Sequence, residues 1–168
     1  MAKILIVEDN ALNIKLFCDL LAAHGHEPEA VTDSRNAIDA ARSFSPDLVI
    51  TDIQLPHVSG LDLIRLIRKD EDLANVPIMA VTAYSARGDE ERIRAAGAQA
   101  YVSKPISVVR FAETVDELLR SEAEGSNGPG ERNTPNQADE SEIDNPESQA
   151  NQVDDGPGPG EAGGEEGA

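Results

Sequence analysis

Five short apolar segments alternate with longer segments of helical periodicity over the first 120 residues, and this alternation constrains the fold more than any other feature. It is typical of a parallel sheet whose strands are joined by covering helices. Strands that are buried on both faces read as nearly continuous apolar runs, as the first, third and fourth segments do, so the second and fifth are predicted nearer the edges. The predicted strands are Lys3–Val7, Glu29–Thr32, Leu48–Thr51, Ile78–Val81 and Ala100–Val102.

Helix start and stop signals fill the gaps between these strands. Asn10 and Asp33 are predicted N-caps, Ser59 and Asp62 match a capping box, and Gly25, Pro46 and Gly97 are predicted to end helices. The predicted helices are Ala11–Ala23, Ser34–Phe44, one from Ser59 to Lys69, Ala86–Ala96, and one behind Ser107 that reaches about Ser121. In the first helix, Leu12, Leu16, Leu20 and Ala23 share one face, and in the last, Phe111, Val115, Leu118 and Leu119 are predicted to face inward.

The composition changes near residue 120. Residues 122–168 contain 13 acidic side chains and one basic side chain, and contribute −12 of the chain's net charge of −18. They also contain nine of the 13 glycines and none of the five aromatic residues. Such a segment cannot bury enough apolar surface to offset the entropy of ordering its backbone. The sequence therefore predicts a folded domain over residues 1–121 and a disordered acidic tail over 122–168. This tail keeps the protein soluble, competes with acidic partner surfaces, or serves as a degradation or docking segment.

The charge distribution excludes several classes of function. Duplex nucleic acid is bound through clustered Lys and Arg, which this acidic sequence lacks, and an anionic membrane would repel it. No apolar run approaches the roughly 18 residues of a membrane helix, and Glu8 and Asp9 interrupt the first apolar run too early for a signal peptide. A single cysteine, Cys18, is compatible with a reducing compartment. We expect a cytoplasmic protein that inserts in no membrane and binds no nucleic acid.

Charged and hydroxyl side chains follow four of the predicted strands. Glu8 and Asp9 follow the first, Asp52 the third, Thr82 the fourth and Lys104 the fifth. In a doubly wound sheet, ligands bind in the crevice at the carboxyl ends of the strands, so these groups are expected to meet there. Acidic residues are also common in loops after strands, and that alternative stays open for Glu8 and Asp9 taken alone.

Three crowded carboxylates repel one another unless a cation neutralises them. Mg²⁺ suits such a site because it takes hard oxygen ligands and keeps several waters. We therefore predict Asp9 and Asp52 as direct ligands of Mg²⁺, Glu8 as a ligand directly or through water, and the backbone carbonyl of Gln54 as a further ligand.

Taken together, the motifs resemble the response-regulator receiver domain in register over residues 3–121. They are Val7-Glu8-Asp9-Asn10, Thr51-Asp52-Ile53-Gln54-Leu55-Pro56, Val81-Thr82-Ala83 and Ser103-Lys104-Pro105. More specific motifs, such as Asn10-Ala11-Leu12-Asn13 and Ser103-Lys104-Pro105-Ile106-Ser107, are similar to those of the DivK group of single-domain cell-division regulators. The resemblance implies a flavodoxin-like fold with five parallel strands in the order 2-1-3-4-5.

The resemblance also implies a role for each site residue. Asp52 would accept a phosphoryl group from a phosphohistidine on a sensor histidine kinase or a histidine phosphotransferase. Lys104 would contact a phosphoryl oxygen, pair with Asp52 before phosphorylation and precede a cis bond to Pro105. The chain would catalyse no reaction beyond its own phosphorylation and dephosphorylation. Because no output module is recognised after residue 121, signalling would pass through a downstream protein partner.

Thr82 and Tyr101 are the switch residues that the resemblance implies. The Thr82 hydroxyl would move toward the phosphoryl group, and Tyr101 would turn from a solvent-facing rotamer into the space that Thr82 leaves. We also expect Tyr84 to shield the phosphorylated aspartate from water, and His57, beside Pro56, to be the histidine most suited to contact a kinase.

Two other functions stay open. One is a hydrolase with an aspartyl-phosphate intermediate of the haloacid dehalogenase kind, although that class places a second Asp two positions after the nucleophile, where this chain has Gln54. The other is a degenerate receiver that binds partners without phosphorylation, although every motif residue is present.

Overall fold

The five predicted strands form one parallel sheet in the order β2-β1-β3-β4-β5. A computed structural model describes residues 1–83 and 87–125. The strands are β1 Lys3–Val7, β2 Glu27–Val31, β3 Leu48–Asp52, β4 Ile78–Thr82 and β5 Ala100–Ser103. The helices are α1 Ala11–Ala23, α2 Ala37–Phe44, α3 Gly60–Lys69, α4 Arg87–Ala96 and α5 Val108–Gly125, and a 3-10 turn over Ser34–Asn36 precedes α2. The predicted fold class, the strand order and the edge positions of β2 and β5 are confirmed.

The caps that the sequence predicted begin the helices. Asn10 accepts hydrogen bonds from the backbone N–H groups of Leu12 and Asn13, and Ser59 accepts one from Asp62. Asp33 caps the 3-10 turn, so the predicted second helix starts as a tighter turn and becomes α-helical only at Ala37. The caps satisfy N–H groups that have no partner inside a helix.

Two apolar clusters, one on each face of the sheet, form the core. On one face, α1 and α5 pack together, and the rings of Phe17 and Phe111 stack with centroids 5.2 Å apart. On the other face, α2, α3 and α4 bury side chains such as Leu63, Ile67 and Ile93. The two layers leave the carboxyl edge of the sheet open between the helix starts, and this is where the charged residues lie.

The apolar face of α1 that carries Leu12, Leu16, Leu20 and Ala23 is not the face that the fold buries. Leu12 is 79% exposed and Leu16 38% exposed, whereas Phe17 and Leu21 are buried. Phe17 and Leu21 are one helical turn apart, and the helix is rotated so that the large aromatic ring stacks on Phe111. Two leucines of α1 are thereby left at the surface.

Several element bounds also differ from the prediction, and β3, β4 and β5 each end one residue later than predicted. β2 starts two residues earlier, at Glu27, and includes Pro28, which an edge strand tolerates because one side of it has no partner strand. α5 continues through Gly125, past Ser121, because Glu122, Ala123 and Glu124 are good helix formers. The predicted start of the fourth helix, Ala86, lies outside the described residues, as do Tyr84 and residues 126–168 of the predicted tail. Over the described ranges, no helix is long and apolar enough to cross a membrane.

Arg68, near the end of α3, binds the loops that precede β4 and β5. Its guanidinium donates to the backbone carbonyls of Gly97, Ala74 and Val76 at 2.6 to 3.0 Å, and to the side-chain oxygen of Gln99 at 2.8 Å. Burial lowers the pKa of this guanidinium below its usual value. The planar fork of arginine fits several carbonyls at once, which a single ammonium cannot do.

We expect Arg68→Met to lower the free energy of unfolding by about 2 to 4 kcal/mol, because it leaves several part-buried carbonyl oxygens without donors. Urea unfolding followed by circular dichroism measures the change. Arg65→Met is the matched control: Arg65 is half exposed and pairs with Asp62 at 3.1 Å on the same helix, so its loss is expected to cost about 0.5 kcal/mol or less. Equal losses in the two variants would contradict the role of Arg68.

Candidate functional site

Four strand ends meet at the carboxyl edge of the sheet. Glu8 and Asp9 follow β1, Asp52 ends β3, Thr82 ends β4, and Lys104 follows β5. The backbone holds these ends in register: the N–H of Ile53 donates to the carbonyl of Val81 at 3.0 Å, and the N–H of Lys104 donates to that of Thr82 at 2.8 Å. The sheet therefore brings together residues that lie as much as 96 positions apart in the sequence.

The carboxylates of Glu8, Asp9 and Asp52 form one cluster. Each offers an oxygen, and the three oxygens lie within 4.8 Å of one another. Glu8 is 1% exposed and Asp52 5% exposed, whereas Asp9 is exposed at the surface. Two carboxylates are thus removed from water while the third opens to solvent, so the cluster has one accessible side.

The ammonium of Lys104 supplies the positive charge at this cluster. Its Nζ lies 2.5 Å from Oδ2 of Asp52 and 3.5 Å from Oε2 of Glu8, with the side chain 25% exposed. Burial disfavours the charged form of Lys104, but the hydrogen bond to Asp52 and the charges of Asp52 and Glu8 outweigh it and raise its pKa above the usual value. The bond between Lys104 and Pro105 is cis.

The carboxylate of Glu8 is held by the backbone N–H groups of the next two residues and by one side chain that the sequence analysis missed. Its Oε1 accepts from the N–H groups of Asp9 and Asn10 at 3.1 and 3.0 Å, and its Oε2 accepts from the side-chain amide of Asn13 at 3.3 Å. Burial raises the pKa of Glu8, the hydrogen bond from Asn10 opposes this rise, and the charge of Asp52 adds to it. A cation beside Glu8 would favour its ionised form.

Both carboxylate oxygens of Asp52 accept hydrogen bonds, which fix the orientation of the side chain. Oδ1 accepts from the backbone N–H of Gln54 at 2.9 Å, and Oδ2 accepts from Lys104. Directly behind it, α3 begins at Gly60, whose N–H donates to the carbonyl of Ile53 at 2.9 Å. A Cβ on Gly60 would lie only 2.1 Å from the backbone oxygen of Asp52, so the helix start and the strand end touch without room for a side chain. The position of Asp52 therefore depends on the absence of a side chain at Gly60.

The two predicted switch residues lie on neighbouring strands. Thr82 is buried at the end of β4. Tyr101 on β5 is half-buried against the cluster that contains Ile93, and its hydroxyl lies 3.2 Å from Oε2 of Glu90 on α4. The ring is therefore not turned to solvent as predicted, because α4 offers both an apolar surface and a carboxylate acceptor. The sequence analysis did not identify Glu90, which also accepts from Arg94 at 3.1 Å.

A family model of the response regulator receiver domain matches residues 4–116, which is more than half of the chain. The chain belongs to the receiver family. A receiver domain is a signalling module rather than a classical enzyme, and this one is of the kind that acts in two-component signalling.

Among curated proteins, this receiver domain is similar to the polar-differentiation response regulator DivK of Brucella ovis, with 52% identity over 116 residues that cover 69% of this chain and 94% of the relative. DivK of Brucella anthropi is 51% identical over the same length and coverage. The resemblance to the DivK group is confirmed.

Solved structures of receiver domains share the fold of this chain. The receiver domain of the sensor histidine kinase PA1611 from Pseudomonas aeruginosa, solved with magnesium coordinated in its active-site cleft, is 30% identical with a TM-score of 0.66, covering 71% of this chain and 98% of that one. The chemotaxis protein CheY4 of Vibrio cholerae, 24% identical with a TM-score of 0.67 and coverage of 70% and 98%, shares the fold.

The carboxylate cluster fits Mg²⁺, which receiver domains bind at an acidic pocket. The donors are hard oxygens, one of them is open to solvent where waters can complete an octahedron, and two are buried and oriented by hydrogen bonds. The structure thus brings the predicted carboxylate ligands together. The carbonyl of Gln54 stays a predicted ligand.

Proposed function

We propose that the chain is a phosphorylation-dependent signalling switch in which Asp52 accepts a phosphoryl group. The observation that carries this proposal is the ion pair between Lys104 and the buried Asp52 inside a carboxylate cluster. An isolated surface aspartate is a weak nucleophile, whereas this one is held in a fixed orientation beside a mobile cation that can neutralise developing charge.

In the proposed transfer, an oxygen of Asp52 attacks the phosphorus of a phosphohistidine. The new bond joins this oxygen to phosphorus, the bond between phosphorus and the imidazole nitrogen breaks, and the imidazole leaves with the bonding electrons. Lys104 moves from Asp52 to a phosphoryl oxygen, which it can reach because the ammonium is a point charge on a flexible stem. A Mg²⁺ ion held by Glu8, Asp9, Asp52 and the carbonyl of Gln54 would neutralise negative charge on the phosphoryl group.

The proposed partner that donates the phosphoryl group is a histidine kinase or a histidine phosphotransferase. Exposed apolar side chains at the starts of two helices beside the site support docking of such a partner. Leu12 and Leu16 lie on α1, and Val108 and Val109, which are 47% and 66% exposed, begin α5. Apolar groups that a partner covers would exclude water from the transferring phosphoryl group.

The proposed output passes through Thr82, Tyr101 and the surface of α4. A cleft of about 200 Å³ adjoins Thr82, so the end of β4 has room to move. Its lining includes Ile53 and Gln54 from the loop after β3, Leu61 of α3, and Asp89, Arg92 and Ile93 of α4. Phosphorylation would draw Thr82 toward Asp52 and shift Tyr101 from its contact with Glu90. Because the Brucella relatives are polar-differentiation regulators, we propose a role in the control of cell polarity and division, exerted through a downstream protein.

The test is phosphorylation by a small donor. We expect wild-type protein incubated with acetyl phosphate and Mg²⁺ to gain one phosphoryl group by intact mass spectrometry, and expect the gain to be lost in Asp52→Asn and after chelation of the metal. An unmodified wild-type mass under all conditions would instead favour a phosphorylation-independent adaptor. Rapid turnover of small phosphate esters would favour the hydrolase.

A further inference from the structure

Ser34 is a buried polar residue outside the carboxylate cluster. It is 3% exposed and begins the 3-10 turn between β2 and α2. Its hydroxyl donates to the carbonyl of Pro56 at 2.9 Å and accepts from the N–H of Val58 at 3.2 Å. One hydroxyl thus satisfies an acceptor and a donor of a loop more than 20 residues away in the sequence.

The residue between these two hydrogen bonds is His57, whose φ of 70° lies in the left-handed region. A residue with a Cβ pays about 1 to 2 kcal/mol for this conformation unless its surroundings hold it there. The His57 side chain is exposed, so core packing does not hold it. Val58, the next residue, packs against the apolar core, but the peptide groups on both sides of His57 are bound by the hydroxyl of Ser34, which therefore fixes the backbone of the strained turn directly.

This turn belongs to the loop that orients the phosphoacceptor. The loop starts at Asp52, and the N–H of Gln54 donates to Oδ1 of Asp52 at 2.9 Å. The loop closes where Gly60 donates to the carbonyl of Ile53. Between these ends, Ser34 binds the loop to the neighbouring connection between β2 and α2. It fixes the loop at Pro56, only two residues after Gln54, so the orientation of the Gln54 peptide depends on this contact.

We propose that Ser34 is a positioning residue of the phosphoacceptor site, which acts through the turn at His57 to set the geometry of Gln54 and Asp52 for Mg²⁺ and the phosphoryl group. This inference rests on the proposed function, because it concerns the same site. Ser34 touches none of the reacting groups and acts by restricting the loop, as residues behind metal ligands do when they orient them.

Calorimetric titration with Mg²⁺ tests the proposal. We expect Ser34→Ala to weaken Mg²⁺ binding about tenfold, the lower end of the effect seen for residues that orient metal ligands. Arg42→Ala is the matched control: it removes the 2.5 Å ion pair between Arg42 in the last turn of α2 and Asp70, and so lowers stability without touching the loop. We expect its Mg²⁺ affinity to stay within twofold of wild type.

A second variant separates positioning from folding. In the Ser34→Ala background, His57→Asn is expected to recover part of the lost affinity, because the short polar side chain of asparagine can hydrogen-bond locally and so stabilise the left-handed conformation. If Ser34→Ala does not fold, Ser34→Cys replaces it, since the thiol has a similar size but bonds more weakly, and an intermediate loss is expected.

Three results would overturn the inference. They are unchanged Mg²⁺ affinity in the folded Ser34 variants, an equal loss in Arg42→Ala, and a wild-type protein that does not bind Mg²⁺. Only the last also overturns the proposed function, so the two failures are distinguishable.

Discussion

Lys104→Met is expected to slow phosphorylation of Asp52 by acetyl phosphate about 10²-fold or more. The ammonium is the positive charge that lies against Oδ2 of Asp52, and no other described Lys or Arg is paired with that carboxylate. Removing one preorganised group that stabilises developing negative charge typically costs a factor of about 10² to 10³ in rate. The rate is measured as the time course of phosphoryl gain by intact mass spectrometry at saturating Mg²⁺.

The same substitution is expected to strengthen Mg²⁺ binding, by about tenfold. The ammonium neutralises Asp52 and Glu8 and occupies Oδ2 of Asp52, so it competes with a metal ion for the same charge. A variant that binds the metal more tightly and yet transfers the phosphoryl group more slowly cannot be explained by general damage to the site. Calorimetric titration measures the affinity.

Lys104→Met also predicts a change in the pH dependence of stability without metal. Burial and the charge of Asp52 already raise the pKa of Glu8, and removing the nearby ammonium raises it further. A carboxyl whose pKa is higher in the folded chain than in the unfolded chain binds protons preferentially in the folded chain, so it adds stability as the pH falls toward about 4.3. The variant should therefore gain more stability than wild type between pH 7 and pH 5 in urea titrations.

Lys15→Met is the control for these three measurements. Lys15 lies on the exposed surface of α1 and pairs with Asp19, so its loss changes the net charge of the chain by the same amount without contacting the cluster. The control should leave the phosphorylation rate, the Mg²⁺ affinity and the pH dependence close to wild type. Unchanged phosphorylation in Lys104→Met, or weaker metal binding, would show that Lys104 does not act as the counter-charge proposed here.

Much of this site could be predicted from the sequence because parallel strands end at one edge of a sheet. Once the apolar segments are recognised as strands, the residues directly after them have to meet, and Glu8, Asp9, Asp52 and Lys104 do so. The reasoning needs only strand order and chain direction, and no side-chain detail. Local signals were equally informative at Asn10 and Ser59, where a cap is decided by residues within one helical turn.

Contacts between side chains that are distant in sequence could not be predicted in this way. Which face of α1 is buried depends on the stacking of Phe17 with Phe111, 94 positions away, and apolar spacing alone favoured the face that carries Leu12. In the sequence, Ser34 has the pattern of an ordinary residue at the start of a helix. Its role becomes visible only in the structure, where its hydroxyl contacts the loop at His57. The bond from Tyr101 to Glu90 likewise depends on how α4 lies beside β5.

Gly60→Ala is expected to lower the free energy of unfolding by about 3 kcal/mol, at the upper end of the usual cost of overpacking. The added Cβ would lie 2.1 Å from the backbone oxygen of Asp52 and 2.6 Å from Cα of Ile53. Both are backbone atoms, so no side-chain rotation relieves the overlap, and either α3 or the end of β3 has to shift. A shift breaks the hydrogen bond between Gly60 and Ile53 and moves the phosphoacceptor.

Gly88→Ala is the matched control for Gly60→Ala, because the same substitution is expected to change stability in the opposite direction. Gly88 lies in α4, and a Cβ there would meet nothing within 4 Å. The same substitution should therefore stabilise the protein by about 0.5 kcal/mol, the lower end of the range for a helix interior, because alanine favours helix over glycine and Gly88 lies in the first turn of α4. Urea unfolding should give opposite signs for the two variants, and phosphorylation by acetyl phosphate should fall only in Gly60→Ala, since only there is Asp52 displaced. If Gly60→Ala were as stable as wild type and phosphorylated at the same rate, the close approach of α3 to the end of β3 would not be what positions Asp52.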